Sequence, residues 1–426
     1  MEHTNRKQGE FSASFSTQLS IGTNDTLKTA KLKVKQSNYG NDEIMEYFSK
    51  QVATQCSFNE KEVAITDSFG FVEQTIELNQ ASNSNEIEQS NSKDEEYEEK
   101  GDRSSRKTIS SKDAPISQKI AFKQLKQENA RLYKWKEMLE DYPEKLHVKL
   151  KLRCRKGIPD SFRGYAWQIL IQGQKHLNKE KSQYFKSLLE QGGERKTIVS
   201  IFKDVSRTFP QHVFFKDKFG VGQKALFCVL KALSISEPET GYVQGMGYMA
   251  AVLLTYMDME DAFCCMIGLL KGFQVREMYL PKMPGLQRAF YIHLNLMKKY
   301  LPKLNQHLIN AKYEPTMYGS QWFMTIFAVG FPFELTVRIW DIFMVEGRKI
   351  LFRVALAIFK LNQQSLLGCE LEGIFDVLRN FQKSIDADSL IKTALSFKFS
   401  KKLIDKFEKE FYEKPDKELQ KLCEMY

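Results

Sequence analysis

The longest apolar runs in this sequence, such as Met246 to Met257, fall well short of the roughly 20 residues that a membrane-spanning helix requires. Met1 to Glu10 is polar and has no apolar core, so it does not read as a secretory leader. Cysteine is sparse: Cys56, Cys154, Cys228, Cys264, Cys265, Cys369 and Cys423 make an odd number with no C-x-x-C pair. That argues against a disulfide framework or a thiolate zinc site and for a reducing compartment. The six histidines (His3, His147, His176, His212, His293, His307) show no metal-ligand spacing. There is no G-x-x-x-x-G-K-[ST], so the chain does not itself cradle a nucleotide in the P-loop manner. G-x-S-x-G, H-E-x-x-H and the kinase signature set are missing as well.

Two near-matches carry little. Gly245-Met246-Gly247-Tyr248-Met249-Ala250 has the letters of a dinucleotide fingerprint but follows a polar loop, Ser236 to Thr240, rather than a strand. Cys423-Glu424-Met425-Tyr426 puts a cysteine in a prenylation position, with Glu424 and Tyr426 ill suited to it.

What is there fits a soluble chain with a large core. Of 426 residues, 42% are hydrophobic and 27% charged, and the mean hydropathy is −0.42. The formal charge is +10, with the excess dispersed over lysines such as Lys119, Lys123, Lys126, Lys401 and Lys402. No RNP, KH, zinc-finger or basic-zipper signature accompanies it, so nucleic acid is not expected as a partner. Weak attraction to anionic membranes or acidic proteins suits the charge better.

Residues 1–116 are rich in Ser, Asn, Gln, Thr and Glu and lack tryptophan. Such a segment buries too little apolar surface to offset its ordering entropy, which predicts a largely disordered stretch. Its one semi-regular piece, Glu62 to Leu78, alternates weakly and predicts a short hairpin. Beyond it, 117–150 reads as a leading helix and linker, with Ile120, Leu125, Leu132, Trp135, Met138 and Leu139 near helical spacing from Lys119 to Tyr142.

Helical periods continue through Ser161–Leu170, Gln183–Glu190, Lys196–Arg207, Gly222–Leu233, Tyr248–Met257 and Asp261–Leu270. They go on through Leu286–Lys299, Trp322–Val329, Glu334–Glu346, Ile350–Leu361, Ile374–Phe381 and Asp386–Lys414. Prolines and glycines mark the joins. With no strand–helix alternation and no fixed-period repeat, the fold class is all-α. The domain core is expected over 151–365, with 366–426 adding C-terminal helices and a short tail.

Two segments have chemical potential. In Ile201-Phe202-Lys203-Asp204-Val205-Ser206-Arg207-Thr208-Phe209-Pro210, the side chains of Ile198, Ile201, Phe202 and Val205 make one apolar face. Asp204 and Arg207 share another. Pro210 disfavours helix at Phe209, so the helix should stop near Arg207 and leave the guanidinium at an edge. The bland alternative is a surface ion pair worth about 0.2–0.5 kcal/mol. The second segment is Gly241-Tyr242-Val243-Gln244-Gly245-Met246-Gly247. Three glycines in seven residues point to a tight turn or to backbone closely approached by something else. Gln244 sits among them, a carboxamide able to donate and accept a hydrogen bond at once. Its bland reading is an incidental residue at a capped helix start.

These segments resemble the arginine-finger and glutamine-finger motifs, I-x-x-D-x-x-R and Y-x-Q-G, of TBC-domain Rab GTPase-activating proteins. The likeness extends from about Gln118 to Leu361. Lys151-Leu152-Arg153-Cys154-Arg155-Lys156-Gly157-Ile158-Pro159, with Arg163 and Trp167, is similar to the domain's opening. Ser320-Gln321-Trp322-Phe323, Phe331-Pro332 and Arg338-Ile339-Trp340-Asp341 are similar to its later helices. The Lys134-Trp135 helix is similar to one found ahead of the domain in one subgroup.

The resemblance implies a V-shaped helical domain whose groove docks a GTP-bound Rab-family GTPase. Arg207 and Gln244 would be the two fingers, with Asp204, Tyr242 and Gly245 positioning them. GTP and Mg²⁺ would belong to the partner, leaving this chain an activator with no cofactor or metal of its own. It would be cytoplasmic, reaching endomembranes peripherally through that partner. The alternative is a TBC fold that binds a Rab without accelerating hydrolysis. Arg163, Trp167, Trp340 and Asp341 read as structural: buried aromatics with paired charges.

Overall fold

The structure, a computed structural model, describes residues 62–66, 71–77, 129–138, 147–172 and 181–413. The disorder expected over 1–116 falls outside these, except at the hairpin. There β1 (Glu62–Thr66) and β2 (Val72–Glu77) pair antiparallel, with Glu62 opposite Glu77, Val63 opposite Ile76 and a bulge between Ile65 and Thr66. Among the described residues the rest is helical, with one added bridge between Phe71 and His212.

The leading helix α1 covers 129–138, the described part of the predicted Lys119–Tyr142, and buries Trp135 and Met138. Then follow α2 (His147–Arg155), α3 (Asp160–Gln172), α4 (Lys181–Glu190), α5 (Arg195–Val205) and α6 (Val221–Ser236). Next come α7 (Met246–Leu254), α8 (Met259–Gly272), α9 (Pro284–Tyr300) and α10 (Pro302–Asn310). The chain continues with α11 (Gly319–Met324), α12 (Phe333–Glu346), α13 (Lys349–Leu361) and α14 (Gln363–Leu367). It ends with α15 (Leu371–Ser384), α16 (Ala387–Ser396) and α17 (Lys401–Glu413). Local chemistry accounts for several starts. Asp258 accepts from the Asp261 amide at 2.9 Å, Asp386 accepts from the Ser389 amide at 2.7 Å, and Pro284 and Pro302 open α9 and α10.

Three predicted spans need correction. Asp386–Lys414 is two helices, because Phe397 takes an extended ψ of 110° and residues 397–400 cross between them. The helix predicted over Trp322–Val329 stops at Met324, since Ile326 and Phe327 turn left-handed at φ 51° and 58° while fully buried. The helix predicted to reach Arg207 ends at Val205. Helices α2, α10 and α14 have no counterpart among the predicted spans.

Helix α6 is the hub, packing against α4, α5, α7 and α8 with Leu226, Val229, Leu230 and Leu233 fully buried. A second layer forms as α12 packs on α2, α3 and α13, while α13 packs on α9 and α16. Asp341 of α12 ties that layer together. It is fully buried and accepts from the Ile158 amide at 2.8 Å, Arg163 Nε at 3.2 Å and Trp167 Nε1 at 2.9 Å. Arg163 also donates to Asp160 and to the Ile158 carbonyl at 2.7 Å. Burial pushes the Asp341 pKa up to about 6, against the opposing pull of Arg163 and the donors. With Trp167 and Trp340 wholly buried, this is the structural role expected of the four residues.

Candidate functional site

Arg207 stands two residues past the end of α5. The apolar face of that helix is seated as predicted: Ile201 and Val205 are buried, Ile198 and Phe202 half-buried, and Phe202 stacks on Phe219 at 5.8 Å. The chain then winds one further turn. The Arg207 amide donates to the Asp204 carbonyl at 3.1 Å, and Thr208 donates to that same carbonyl through Oγ1 at 2.8 Å. Phe209 ends the turn in the left-handed region, at φ 45°. Such a conformation costs a non-glycine residue about 1–3 kcal/mol, so surrounding contacts must hold it. Phe209 packs on Phe215, Tyr248 and Phe333. The loop beyond is stapled to α6 by Gln223, which receives the Phe219 amide at 3.0 Å and donates to the Phe215 carbonyl at 2.9 Å. At Gly222 any Cβ would lie 1.8 Å from the Phe214 carbonyl oxygen, so only glycine lets loop and helix approach this closely.

Gln244 sits on the turn between α6 and α7. Gly245, at φ 107°, is the residue from which α7 starts, and Gly241 has φ 56°. Left-handed backbone before and after Gln244 explains Gly241 and Gly245, while Gly247 lies inside α7. The Gln244 side chain is exposed.

Two side chains tie the turns together. Asp204 is largely buried; its Oδ1 lies 2.6 Å from Nη2 of Arg207 and its Oδ2 accepts from the Tyr242 hydroxyl at 2.6 Å. Burial, reinforced by the hydrogen bond to Asp204, raises the Tyr242 pKa far above the usual phenol range, so Tyr242 remains a donor. The Arg207 side chain is thus held by one carboxylate oxygen at its guanidinium and is still 53% exposed. Tyr248 reaches the Arg207 carbonyl with its hydroxyl at 3.4 Å.

Arg207, Gln244 and Gly245 line one open cavity of about 360 Å³, whose far wall includes Gln321 and Thr325 from α11 and its C-terminal end. The structure thus brings Arg207, Asp204, Tyr242, Gln244 and Gly245 together. Gln223, Tyr248 and Phe209, which hold the Arg207 turn and the loop after it, do so through contacts that no short motif encodes. Only the glutamine at 223 on an otherwise apolar helix face gave a signal. Among the described residues no cluster of three His, Cys, Asp or Glu side chains could hold a metal, and no helix is long and apolar enough to cross a membrane.

The profile of the Rab-GTPase-TBC domain family matches residues 160–367. The chain is 36% identical over 292 residues to the Ecotropic viral integration site 5 protein homolog of Homo sapiens, covering 67% of this chain and 35% of that protein. It is 40% identical over 235 residues to TBC1 domain family member 10A of Mus musculus, covering 53% and 46%. The chain therefore spans less than half the length of either relative. Among solved structures, the Chlamydomonas flagellar RabGAP TBC domain superposes with a TM-score of 0.55 at 26% identity, covering 66% of this chain and 96% of that one. The Ypt/Rab-GAP domain of Gyp1p superposes with a TM-score of 0.54 at 20% identity, a likeness of fold alone covering 67% and 99%. Residues 160–367 are thus a Rab-GTPase-TBC domain, the part of the chain that these relatives and solved structures share with it.

Proposed function

We propose that this chain accelerates GTP hydrolysis by a Rab-family GTPase, and so acts in membrane trafficking, by inserting Arg207 and Gln244 into the partner's nucleotide site. The observation that carries the reading is the shared open cavity, in which a guanidinium braced by Asp204 and an exposed carboxamide on a rigid turn face the same space. The Rab-GTPase-TBC match supports a Rab as the partner.

Hydrolysis spreads charge over the γ-phosphate and leaving oxygens and needs a water in line. A guanidinium can bridge two of those oxygens at once, which lysine cannot do equally well. Supplied in trans it is worth about 10³–10⁵ in rate, or roughly 4–7 kcal/mol. Gln244 would accept from the attacking water and donate to the partner's backbone or phosphate, fixing the water's approach. GTP, Mg²⁺ and the phosphate-binding loop belong to the partner; this chain supplies no cofactor.

The test is single-turnover phosphate release by a panel of GTP-loaded Rabs, with wild-type chain, Arg207→Ala and Gln244→Ala. At least one Rab should be accelerated, and each substitution should lower that acceleration a hundredfold or more at unchanged melting temperature, within the about 10³–10⁵ an arginine finger supplies. Activity lost together with folding would make both residues structural. Rab binding without acceleration by the wild-type chain would leave a non-catalytic binding module.

A further inference from the structure

The hairpin lies outside the TBC match, yet the residue just before its second strand reaches the loop that follows Arg207. Phe71 pairs its backbone antiparallel with His212, five residues beyond Arg207. Its ring lies edge-on to Phe209 at 5.6 Å and 87°, edge-on to His212 at 4.8 Å and 83°, and tilted against Phe333 at 5.2 Å. Phe209 is the residue held left-handed two positions after the proposed finger. Its own ring meets Tyr248 edge-on at 5.4 Å, and Tyr248 contacts the Arg207 carbonyl. The His212 amide donates back to the Phe209 carbonyl at 3.0 Å. Two routes, one of edge-to-face rings and one of backbone, therefore run from Phe71 to the turn that carries Arg207.

We propose that Phe71 is a positioning residue for the arginine finger, and that the hairpin carrying it is a working part of the activating machinery rather than a passive appendage. The proposal rests on the function proposed above and adds a component that the domain match does not contain. The turn from Arg207 to His212 holds a strained residue, and a strained turn keeps one conformation only while its neighbours over-determine it. Aromatic edge contacts of this geometry supply such restraint directionally, because ring quadrupoles favour edge-to-face over sliding.

A blocking role fits the geometry less well. Phe71 lines a cavity of about 600 Å³ beside the finger site, bounded by Pro210, Gln211 and Phe331, but not the cavity that Arg207 and Gln244 share. The two meet at Tyr248 and Val329, which line both. Among the described residues, Phe71 therefore touches the loop after Arg207 without lining the cavity that Arg207 and Gln244 share.

The experiment uses the full chain as wild type, Phe71→Ala and Phe71→Tyr, with a responsive GTP-loaded Rab. Single-turnover hydrolysis is followed over a range of activator concentrations. Phe71→Ala should lower the maximal rate about tenfold, since misplacement by about 1 Å costs up to 10²-fold. The half-saturating concentration should stay within twofold, and Phe71→Tyr should restore the rate. An unchanged maximal rate with a lower melting temperature would reduce Phe71 to a structural contact. A raised rate or tighter half-saturation would mean that the hairpin obstructs the partner.

Hydrogen exchange without any Rab gives a readout independent of activity. Amides of 207–216 should exchange faster in Phe71→Ala while those of α6 and α8 stay protected. Unchanged protection there would overturn the proposal. Wild-type chain that accelerates no Rab, yet shows this exchange difference, would sink the function and leave the brace standing.

Discussion

Arg207 has one partner at rest and, in the proposed cycle, a second at work. At rest it is paired with Asp204 three residues before it, in a pair whose guanidinium end is exposed. Exposed pairs at this spacing contribute little and are easily exchanged, so the carboxylate orients the side chain without trapping it. Asp204 is in turn fixed by Tyr242, whose hydroxyl stays protonated. The roles can be separated by graded substitution. Asp204→Asn should weaken GTPase activation by roughly 3- to 30-fold, below the hundredfold expected of Arg207→Ala, because an arginine finger is itself worth about 10³–10⁵. Equal losses with an unchanged fold, in parallel phosphate-release assays, would mean that the carboxylate does more than orient. The Asp204–Arg207 pair could be read from spacing alone, since residues three apart on a helix are neighbours. Tyr242, 38 residues later, could not: local periodicity says nothing about which distant hydroxyl will reach a given carboxylate. It entered the sequence reading only because Y-x-Q-G resembles a known motif.

Among the elements, helices with unbroken amphipathic period and ordinary caps were legible, and those whose ends are set by distant packing were not. The break at 397–400 is the clearer case. Phe397 and Phe399 alternate in the extended link and are both buried against Tyr300, with Phe399 also beneath the Arg353 guanidinium. A two-residue period inside a helical-looking run was the available sign. In α11 the stop at Met324 comes from burying Ile326 and Phe327 in left-handed backbone, which no propensity favours. Helix α9 carries a different consequence. His293 is fully buried, beside the Tyr318 hydroxyl at 3.1 Å, and burial lowers its pKa from 6.5 to about 3. The unfolded chain takes up that proton as pH falls below 6.5, whereas the folded chain does so only near 3. The stabilisation is therefore complete above pH 6.5 and lost progressively on acidification. Between pH 7.5 and 5.0 the wild type should lose about 2 kcal/mol more stability than His293→Phe, at about 1.4 kcal/mol per unit of pH below 6.5. Urea melts of both chains at the two values measure the difference, and identical losses would show that His293 titrates normally.

At the scale of the molecule, the early and late parts of the sequence are bound to one another through single polar residues. Asp341 gathers the loop before α3, α3 itself and α12 around one carboxylate, 183 residues from the Ile158 amide it receives. Asp341→Asn leaves the Arg163 charge in the interior without that balancing carboxylate. Breaking a buried pair from one side costs about 3–5 kcal/mol. Thermal melts of the full chain should show a large cooperative loss, and a melting temperature within a degree of wild type would show that the network contributes nothing net. The sequence named these residues as structural but could not supply their pairing, because which carboxylate meets which guanidinium is decided by helix packing. Site and fold were thus legible to different depths. The motifs pointed to the two proposed finger side chains, while the residues packed around the Arg207 turn and the loop after it, Gln223, Tyr248, Phe209 and Phe71, emerge only from the folded chain.

The bond between Arg207 and Asp204 also governs how this surface looks to something still far away. A cation with its counter-charge 2.6 Å off presents a local dipole, whose field decays faster with distance than that of a bare charge. Long-range attraction of the proposed GTPase partner then falls to other parts of a chain whose formal charge is +10. In the proposed complex the Arg207 charge would act mainly at short range, once the partner replaces Asp204 beside it.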